Sequence, residues 1–560
     1  MQKIWILLSS VLVFDLFGQI QTDVPALKDV YAKDFYIGCL LSYRHIGFPD
    51  DPFVPGQSSV VDPNGGYLIQ YHMNSMSPGN NMKPDYTLNI QASATAYRNA
   101  TTQIEKDSID VHPIVRFNGD LIAQLNWAKR QRFTFRGHTL VWHNQTPLAF
   151  FRSGYTDTGP RLTKEKMTAR MENYIKEVIR LIHENWPGLL SAMDVVNEAV
   201  LDNGQDRTES EWYRTFGDNS YIMKAFEFAR KYTVTYGETQ MKLYYNDYNT
   251  HLPAKADGIV RICAPIFEAG FLDGIGMQEH DGLTYPTALQ WIASYEKFYP
   301  ICHEMAVTEL DVVTGYDNPS QDVLAKQANQ YAQLFKCFVE RSYFSGRGKV
   351  MSVSKDGLND RYTFKTNQSS SLWDANNQCK PAFYAVVDVG IYYNALDSLL
   401  HFVETLRSEE YTAESWSRLL DAVAFAREAM RQNYSVNVSA GEALHAGRDS
   451  LVSAIEALEK VETGVALEHE NTKPQITLGP NYPNPFNATT KIHFALSEAG
   501  HVSLQLYNVQ GVLVADLYNT HCESGSHVVE FDGSGFPSGV YFCKLSFQNE
   551  TRVIRLVLIK

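Results

Sequence analysis

The stretch "AMDVVNEAV", Ala192 to Val200, runs from strand-forming apolar residues (Met193, Val195, Val196) straight into Asn197 and Glu198. A carboxylate desolvated at the end of an apolar strand is costly unless it has a partner or a chemical role. Other apolar runs along the chain end in the same way: "FRGHTLVW" carries His138, "MKLYYNDYN" Asn246 and Asp247, "DGIGMQEH" Gln278 and His280, and "MAVTELDV" Glu309 and Asp311. A further run, "FYIGCLL", opens the series, and amphipathic helical stretches such as Lys164 to Asn185, Tyr221 to Tyr236 and Gln321 to Tyr343 lie between. Strand and helix alternating from Leu27 to Val389 predict parallel pairing in an α/β fold, most economically a (β/α)8 TIM barrel. In that fold catalytic groups gather at the C-terminal ends of the strands, which is where these polar residues stand.

Strand periodicity sorts them further. Glu309 and Asp311 differ by two and share a face; Gln278 and His280 do the same and leave Glu279 opposite; His138 and Trp142 agree, while His143 does not. The sets that agree converge on one mouth of the barrel.

Across its 560 residues the chain carries a formal charge of -14, which argues against nucleic acid or an anionic membrane as partner. The opening "MQKIWILLSSVLVFDLFGQ" has the basic start and short apolar run of a secretory signal, expected over 1–20. No later segment approaches the ~18 apolar residues of a membrane span, so the mature protein is expected to be exported without one. The 7 cysteines are scattered with no CxxC spacing, and Cys522 with Cys543 is a pair that could bridge.

After the barrel, expected over 25–392, helix formers dominate. Trp416, Leu419, Leu420 and Val423 follow i, i+3, i+4, i+7 behind a capping Thr412; Leu399, Val403 and Leu406 form an earlier stripe, and Leu451, Ile455 and Leu458 a later one. These predict a three-helix module over 393–465. The stretch "YTAESWSRLLDAVAFAREAM" resembles the FIVAR modules of extracellular bacterial proteins. A polar linker over 466–475 leads to 476–560, where "KIHFAL" and "VSLQLY" alternate apolar and polar residues between glycines. That pattern predicts a small antiparallel β-sandwich. Its "NYPNPFNATTKIHFAL", "LYNVQGVLV", "SGVYFCKL" and closing "VIRLVLIK" resemble the C-terminal sorting domain of type IX (Por) secretion cargo. The resemblance implies a bacterial protein, handled by the type IX machinery and released or held at the cell surface.

Two carboxylates on different strand ends suit glycosidic bond cleavage, which needs an acid and a base or nucleophile. Histidines, amides and aromatics around them suit sugar hydroxyls and faces. His138, His280, Glu309 and Asp311 include good metal ligands, yet no HExxH or similar spacing occurs; no G-x-S-x-G elbow supports a serine triad. The motifs "GHTLVWHNQTP", "DVVNEA", "LYYNDYN", "DGIGMQEH" and "VTELDV", in this order, resemble those of glycoside hydrolase family 10, the retaining endo-1,4-β-xylanases. "LKDVYAKDFYIGCLLS" and "NQCKPAFYAVV" extend the likeness over most of Leu27 to Val389.

That resemblance implies hydrolysis of xylan or a related β-1,4-linked plant polysaccharide by a monomer, with no metal and no other cofactor. It makes Glu198 the general acid/base and Glu309 the nucleophile. Asn197 would bind the sugar 2-hydroxyl, and His280 would hold Glu309, supported by Asp311 with Gln278 close by. His138, Trp142 and Gln145 would line the subsite next to the cleaved bond, with Asn80 and Lys83 on the sugar beyond, and Tyr248 would give aromatic surface on the other side. The chain departs from the family where Gly79 replaces a sugar-binding glutamate, Ala149 and Asp356 replace tryptophans, and Phe364 replaces another. Those departures predict an altered glycone side of the cleft. They also leave, as the alternative, a surface glycan-binding protein with weak or lost hydrolysis.

Overall fold

The computed structural model describes residues 20–434 apart from 43–46, 48–61 and 63, then 437–461, and 476–558 apart from 485, 509–512, 537–538 and 549. Residues 1–19 of the expected signal peptide and the expected linker over 466–475 lie outside the described residues. The chain divides into two compact units, residues 1–393 with 429–445, and residues 394–428 with 446–560.

In the first unit nine strands run in parallel: β1 (Tyr36–Leu41), β2 (Ser75–Pro78), β3 (Thr134–Trp142), β4 (Leu190–Asn197), β5 (Lys242–Asp247), β6 (Gly274–Met277), β7 (His280–Gly282), β8 (Glu304–Val313) and β9 (Val350–Asp356). β6 pairs directly with β8 and closes the ring, while β7 pairs with the upper part of β8, His280 opposite Asp311. β6 and β7 are therefore one stave broken at Gln278 and Glu279, where Glu279 takes φ +61. The result is the expected eight-stave barrel. The foreseen strands fall in place, and β2 and β9 complete the ring.

Helices between staves begin where the sequence supplies caps. Asn118 accepts from the Leu121 amide, Thr163 from Lys166, Ser320 from Val323, and Thr287 forms a capping box with Gln290. Each such cap contributes ~1 kcal/mol at a helix start. The faces turned inward carry bulky residues: Trp127, Trp212 and Trp291 are completely buried, as is Trp373 in the segment between β9 and the helix Pro381–Glu404. Inside the ring, β6 leaves room for its neighbours. A Cβ on Gly276 would stand 2.3 Å from Asn246 Oδ1, and one on Gly274 2.4 Å from Tyr244 Cζ, so only glycine admits those side chains.

The helix Pro381–Glu404 passes residue 393 without a break, and the helices Ala413–Arg431 and Ala440–Glu456 follow. Thr412 caps the second of these by accepting from the Ser415 amide (3.3 Å), as its sequence position predicts. The stripe is corrected in one place: Leu420 is 51 % exposed, and the buried face runs Leu419, Ala422, Val423, Ala426. Leu419 and Val423 share the inner face at i, i+4, and Leu420, about 100° further round the helix than Leu419, turns outward.

The second unit ends in two antiparallel sheets. One contains β10 (Ile476–Leu478), β11 (Thr489–Leu496) and β14 (Gly525–Asp532); the other contains β12 (Gly500–Asn508), β13 (Leu513–Cys522), β15 (Gly539–Phe547) and β16 (Glu550–Leu558). Ile492, Phe494 and Leu496 from one sheet share a core with Val502, Leu504 and Leu506 from the other, as their alternation requires. Both Cys522 and Cys543 are buried and unpaired. They face Gly500 and Leu506 of β12, positions about 20 Å apart along a strand, too far for a disulfide. Among the described residues no helix is long and apolar enough to cross a membrane.

Candidate active site

β4 ends at Asn197, and Glu198 follows with φ +57, a turn that swings its side chain across the mouth of the barrel. Both carboxylate oxygens are held: Trp142 Nε1 donates to Oε2 (2.8 Å) and Gln278 Nε2 donates to Oε1 (2.9 Å). On β8, Glu309 Oε1 accepts from Asn246 Nδ2 (3.2 Å), and its other oxygen lies 3.3 Å from His280 Nε2. Side-chain amides connect the two carboxylates. Gln278, bonded to Glu198, reaches Asn197 Oδ1 at 3.4 Å, and Asn197 lies 3.0 Å from the Asn246 amide that also bonds Glu309. Thr308 donates to Asn246 Oδ1 (2.8 Å), so each hydrogen-bonding site of that amide is used.

His280 spans two carboxylates, Glu309 at Nε2 and Asp311 at Nδ1 (3.1 Å). Burial disfavours its charge, but the bonds to Asp311 and Glu309 outweigh this and raise its pKa well above the ordinary value. Glu309 is the mirror case. Burial alone would lift its pKa, yet the bond from His280 and the positive field of His138, His280 and Lys83 bring it down to about 2. Glu309 is therefore held in its ionised form.

Beneath this pair, Asp194 on β4 receives Arg136 Nε (3.2 Å) and His138 Nδ1 (2.8 Å), which orients the His138 ring. Lys83 donates to Asn80 Oδ1 (2.8 Å) and Gln145 Oε1 (2.9 Å) and lies 4.5 Å over the Trp142 ring. Burial lowers the pKa of Lys83, with Glu309, Glu198 and Asp356 opposing that shift. Tyr248, half-buried, accepts from Arg207 Nη2 (3.0 Å), and Lys255 Nζ stands 3.3 Å from its ring centroid. Side-chain contacts thus link Asn80, Gln145, Lys83, Trp142, Glu198, Gln278, Asn197, Glu309, His280 and Asp311; His138 meets them at the Trp142 ring (centroids 6.3 Å apart), and Tyr248 reaches them through Arg207, which bonds the Glu198 backbone carbonyl.

The departures have structural content. Asp356 ends β9 nearly buried, with Oδ2 lacking a hydrogen-bond partner; burial, then the charges of Asp311 and Glu309, raise its pKa to about 7. Lys355 beside it spends its ammonium on the carbonyls of Asp356, Gly357 and Leu358. A Cβ on Gly79 would lie 3.2 Å from the Leu41 carbonyl, so this turn packs tightly on β1. Phe364 is 78 % exposed, and Ala149 is buried. His280, Asp311 and Asp356 offer atoms within 4.8 Å of one another, but both His280 nitrogens are already engaged.

Several contributors escaped the sequence reading. Asp194 stands on a foreseen strand and touches His138, a relation that only strand register reveals, whereas Asn246, foreseen as a polar strand end, bonds Glu309. His143 lies 3.8 Å from Glu198 Oε2 although strand parity turned it away, because β3 ends at Trp142 and alternation ends with it. Arg207, whose Nε donates to the Glu198 carbonyl (2.8 Å), comes from a loop with no periodic signal.

Residues 26–389 match the family model described as glycosyl hydrolase family 10, and residues 481–560 that described as secretion system C-terminal sorting domain. The chain is 35% identical over 381 residues to endo-1,4-beta-xylanase Y of Acetivibrio thermocellus, covering 65% of this chain and 32% of that protein. It is 34% identical over 325 residues to a putative endo-1,4-beta-xylanase of Caldicellulosiruptor saccharolyticus, covering 56% of this chain and 98% of that protein. Among solved structures, the CBM22-1–GH10 modules of Clostridium thermocellum endo-1,4-beta-D-xylanase 10B, complexed with xylohexaose, superpose with a TM-score of 0.53 at 32% identity, covering 65% of this chain and 67% of that one. The chain thus spans about a third of the length of the first of these relatives.

Proposed function

The chain belongs to glycosyl hydrolase family 10, and from that premise we propose that it is a secreted, monomeric retaining endo-β-1,4-glycanase whose substrate is xylan. The observation that carries this reading is the unlike treatment of two neighbouring carboxylates. Glu309 is held ionised by His280 and its surroundings, while Glu198 is gripped by two N–H donors at the other end of the amide chain. In the first step Glu309 attacks the anomeric carbon while Glu198 gives its proton to the departing oxygen, leaving a glycosyl ester on Glu309. Glu198, now a carboxylate, then takes a proton from water, whose oxygen attacks the same carbon and frees Glu309. Inversion at each step gives net retention. Asn197 and Asn246 would steady the 2-hydroxyl side, His280 and Asp311 the nucleophile, and Asn80, Lys83, His138, Trp142 and Gln145 the glycone, with Tyr248 facing the aglycone.

Asp356 stands where an aromatic platform is usual, so the glycone side would offer a carboxyl group in place of a ring. That favours a chain bearing polar substituents over plain xylan. The C-terminal sorting domain takes the protein along the type IX route to the cell surface or beyond, and the intervening helices would act as a FIVAR-like spacer. The test is time-resolved product analysis with the full mature chain on unsubstituted xylan, glucuronoxylan, arabinoxylan and mixed-linkage β-glucan. The expected outcome is oligosaccharides whose new reducing ends first appear as the β-anomer, fastest from a decorated xylan. Initial α-anomer, or binding to all four polymers without release, would overturn the reading.

A further inference from the structure

Glu279 and Asp281 flank His280 on the broken stave but point away from the cleft, into a pocket that also receives His251 from the loop after β5. All are buried: His251 is 3% exposed, Glu279 2% and Asp281 1%. A ring nitrogen of His251 and one carboxylate oxygen from each acid lie within 4.8 Å of one another. Their polar atoms are poorly satisfied. His251 Nε2, Glu279 Oε2 and both oxygens of Asp281 meet no hydrogen-bond partner in good geometry; Thr250 donates to Glu279 Oε1 at 3.1 Å, and Asp281 and Trp291 stand close enough to Glu279 to act on it. Among the described residues no lysine or arginine pairs with either acid. Two adjacent buried carboxylates and an unpartnered imidazole nitrogen are each costly left as they stand.

We propose that His251, Glu279 and Asp281 form a structural site for a divalent transition ion of the Zn2+ or Mn2+ class, clamping the loop after β5 to the stave that carries Gln278 and His280. One imidazole nitrogen and two carboxylates are the donor set that such borderline ions accept. The ring has a donor to offer: His251 Nε2 is buried and meets no hydrogen-bond partner. A proton shared between the acids would satisfy one oxygen of each and leave His251 Nε2 empty, whereas one cation satisfies all three side chains. Thr250 would orient Glu279 from outside the coordination sphere. Tyr285, 39% exposed, packs edge-on over His251 with ring centroids 4.3 Å apart, so the pocket lies one ring below the surface.

The test uses the full mature chain, untagged, stripped with a chelator and then titrated with ZnCl2, MnCl2 or CaCl2. The expected result is one tight equivalent of Zn2+ or Mn2+ by elemental analysis, with a Tm about 5 °C or more above the stripped protein. Asp281→Asn and His251→Ala should lose both the equivalent and the chelator sensitivity. Asp281→Asn keeps the side-chain shape and guards against a variant that fails to fold. Stripped protein that takes up no ion and melts at the same temperature would overturn the proposal, as would an equivalent retained in Asp281→Asn.

Discussion

Glu309 lies among His138, His280 and Lys83, and that company separates it from every other carboxylate of the cleft. If it is the nucleophile and Glu198 the acid/base, small anions should tell the two apart. With an activated aryl xylobioside, Glu198→Ala should form the glycosyl ester, be accelerated by azide and yield the β-azide; Glu309→Ala should yield only the α-azide, each variant losing ~10³-fold or more without azide. NMR of the azide products decides it, and swapped anomers would exchange the roles. His280→Gln removes the bond and charge that oppose burial, so Glu309 should rise from about 2. Because the nucleophile must be ionised, the acid limb of kcat/KM should move to higher pH, with a loss of ~10²-fold at the optimum; an unmoved limb would detach His280 from Glu309. The same depression acts on stability. Glu309 contributes above its ordinary value of 4.5, and that contribution is lost as pH falls from there through about 2. At this scale the sequence was legible for polar residues at strand ends, since parity places their side chains, but not for Asp194 in the middle of β4. It was opaque for His143, one residue past the end of β3, and for Arg207, which reaches Glu198 from a loop.

The stave β6 shows what elements contribute. Gly274 and Gly276 have no side chains because Tyr244 and Asn246 of the next strand occupy that space. Gly276→Ala should press on Asn246 and, through it, on Asn197 and Glu309. A displacement near 1 Å is enough for a loss on the order of 10²-fold in kcat, with a stability cost of ~1–3 kcal/mol for the overpacked interior. Gly217, around which no atom lies within 4 Å of an added Cβ, supplies the contrast: at φ +79 its alanine variant should strain the backbone only. Steady-state kinetics beside thermal melts separate the two effects, and a fully active Gly276→Ala would show that Asn246 does not need its present position. Elements were legible in proportion to their apolar length. β4 and β8 announce themselves, whereas β2 is four residues ending in Pro78 and β9 reads "VMSVSKD", too short or too polar to stand out. The break between β6 and β7 depends on the φ +61 of Glu279, which no residue type dictates.

At the scale of the molecule, every residue assigned to the cleft lies between Gly79 and Phe364, inside the first unit, while the C-terminal sandwich has its own sheets and its own core. Sites that share no partners act independently. A chain ending at residue 461 should therefore hydrolyse xylan with kcat and KM within about twofold of the full protein. Export should respond in the opposite way, because residues 481–560 match the sorting domain. Expressed in a type IX-competent host, the truncated chain should remain inside the outer membrane as an active enzyme. Residues 476–560 fused behind an unrelated signal-bearing reporter should carry that reporter to the surface or the medium. Activity assays on medium, surface and periplasmic fractions read both effects at once. A truncated enzyme that reaches the medium would strip the sandwich of its sorting role. One that stays inside but loses kcat/KM by ~10-fold or more would mean that the second unit contributes to catalysis, and the two-part division of labour would have to be given up.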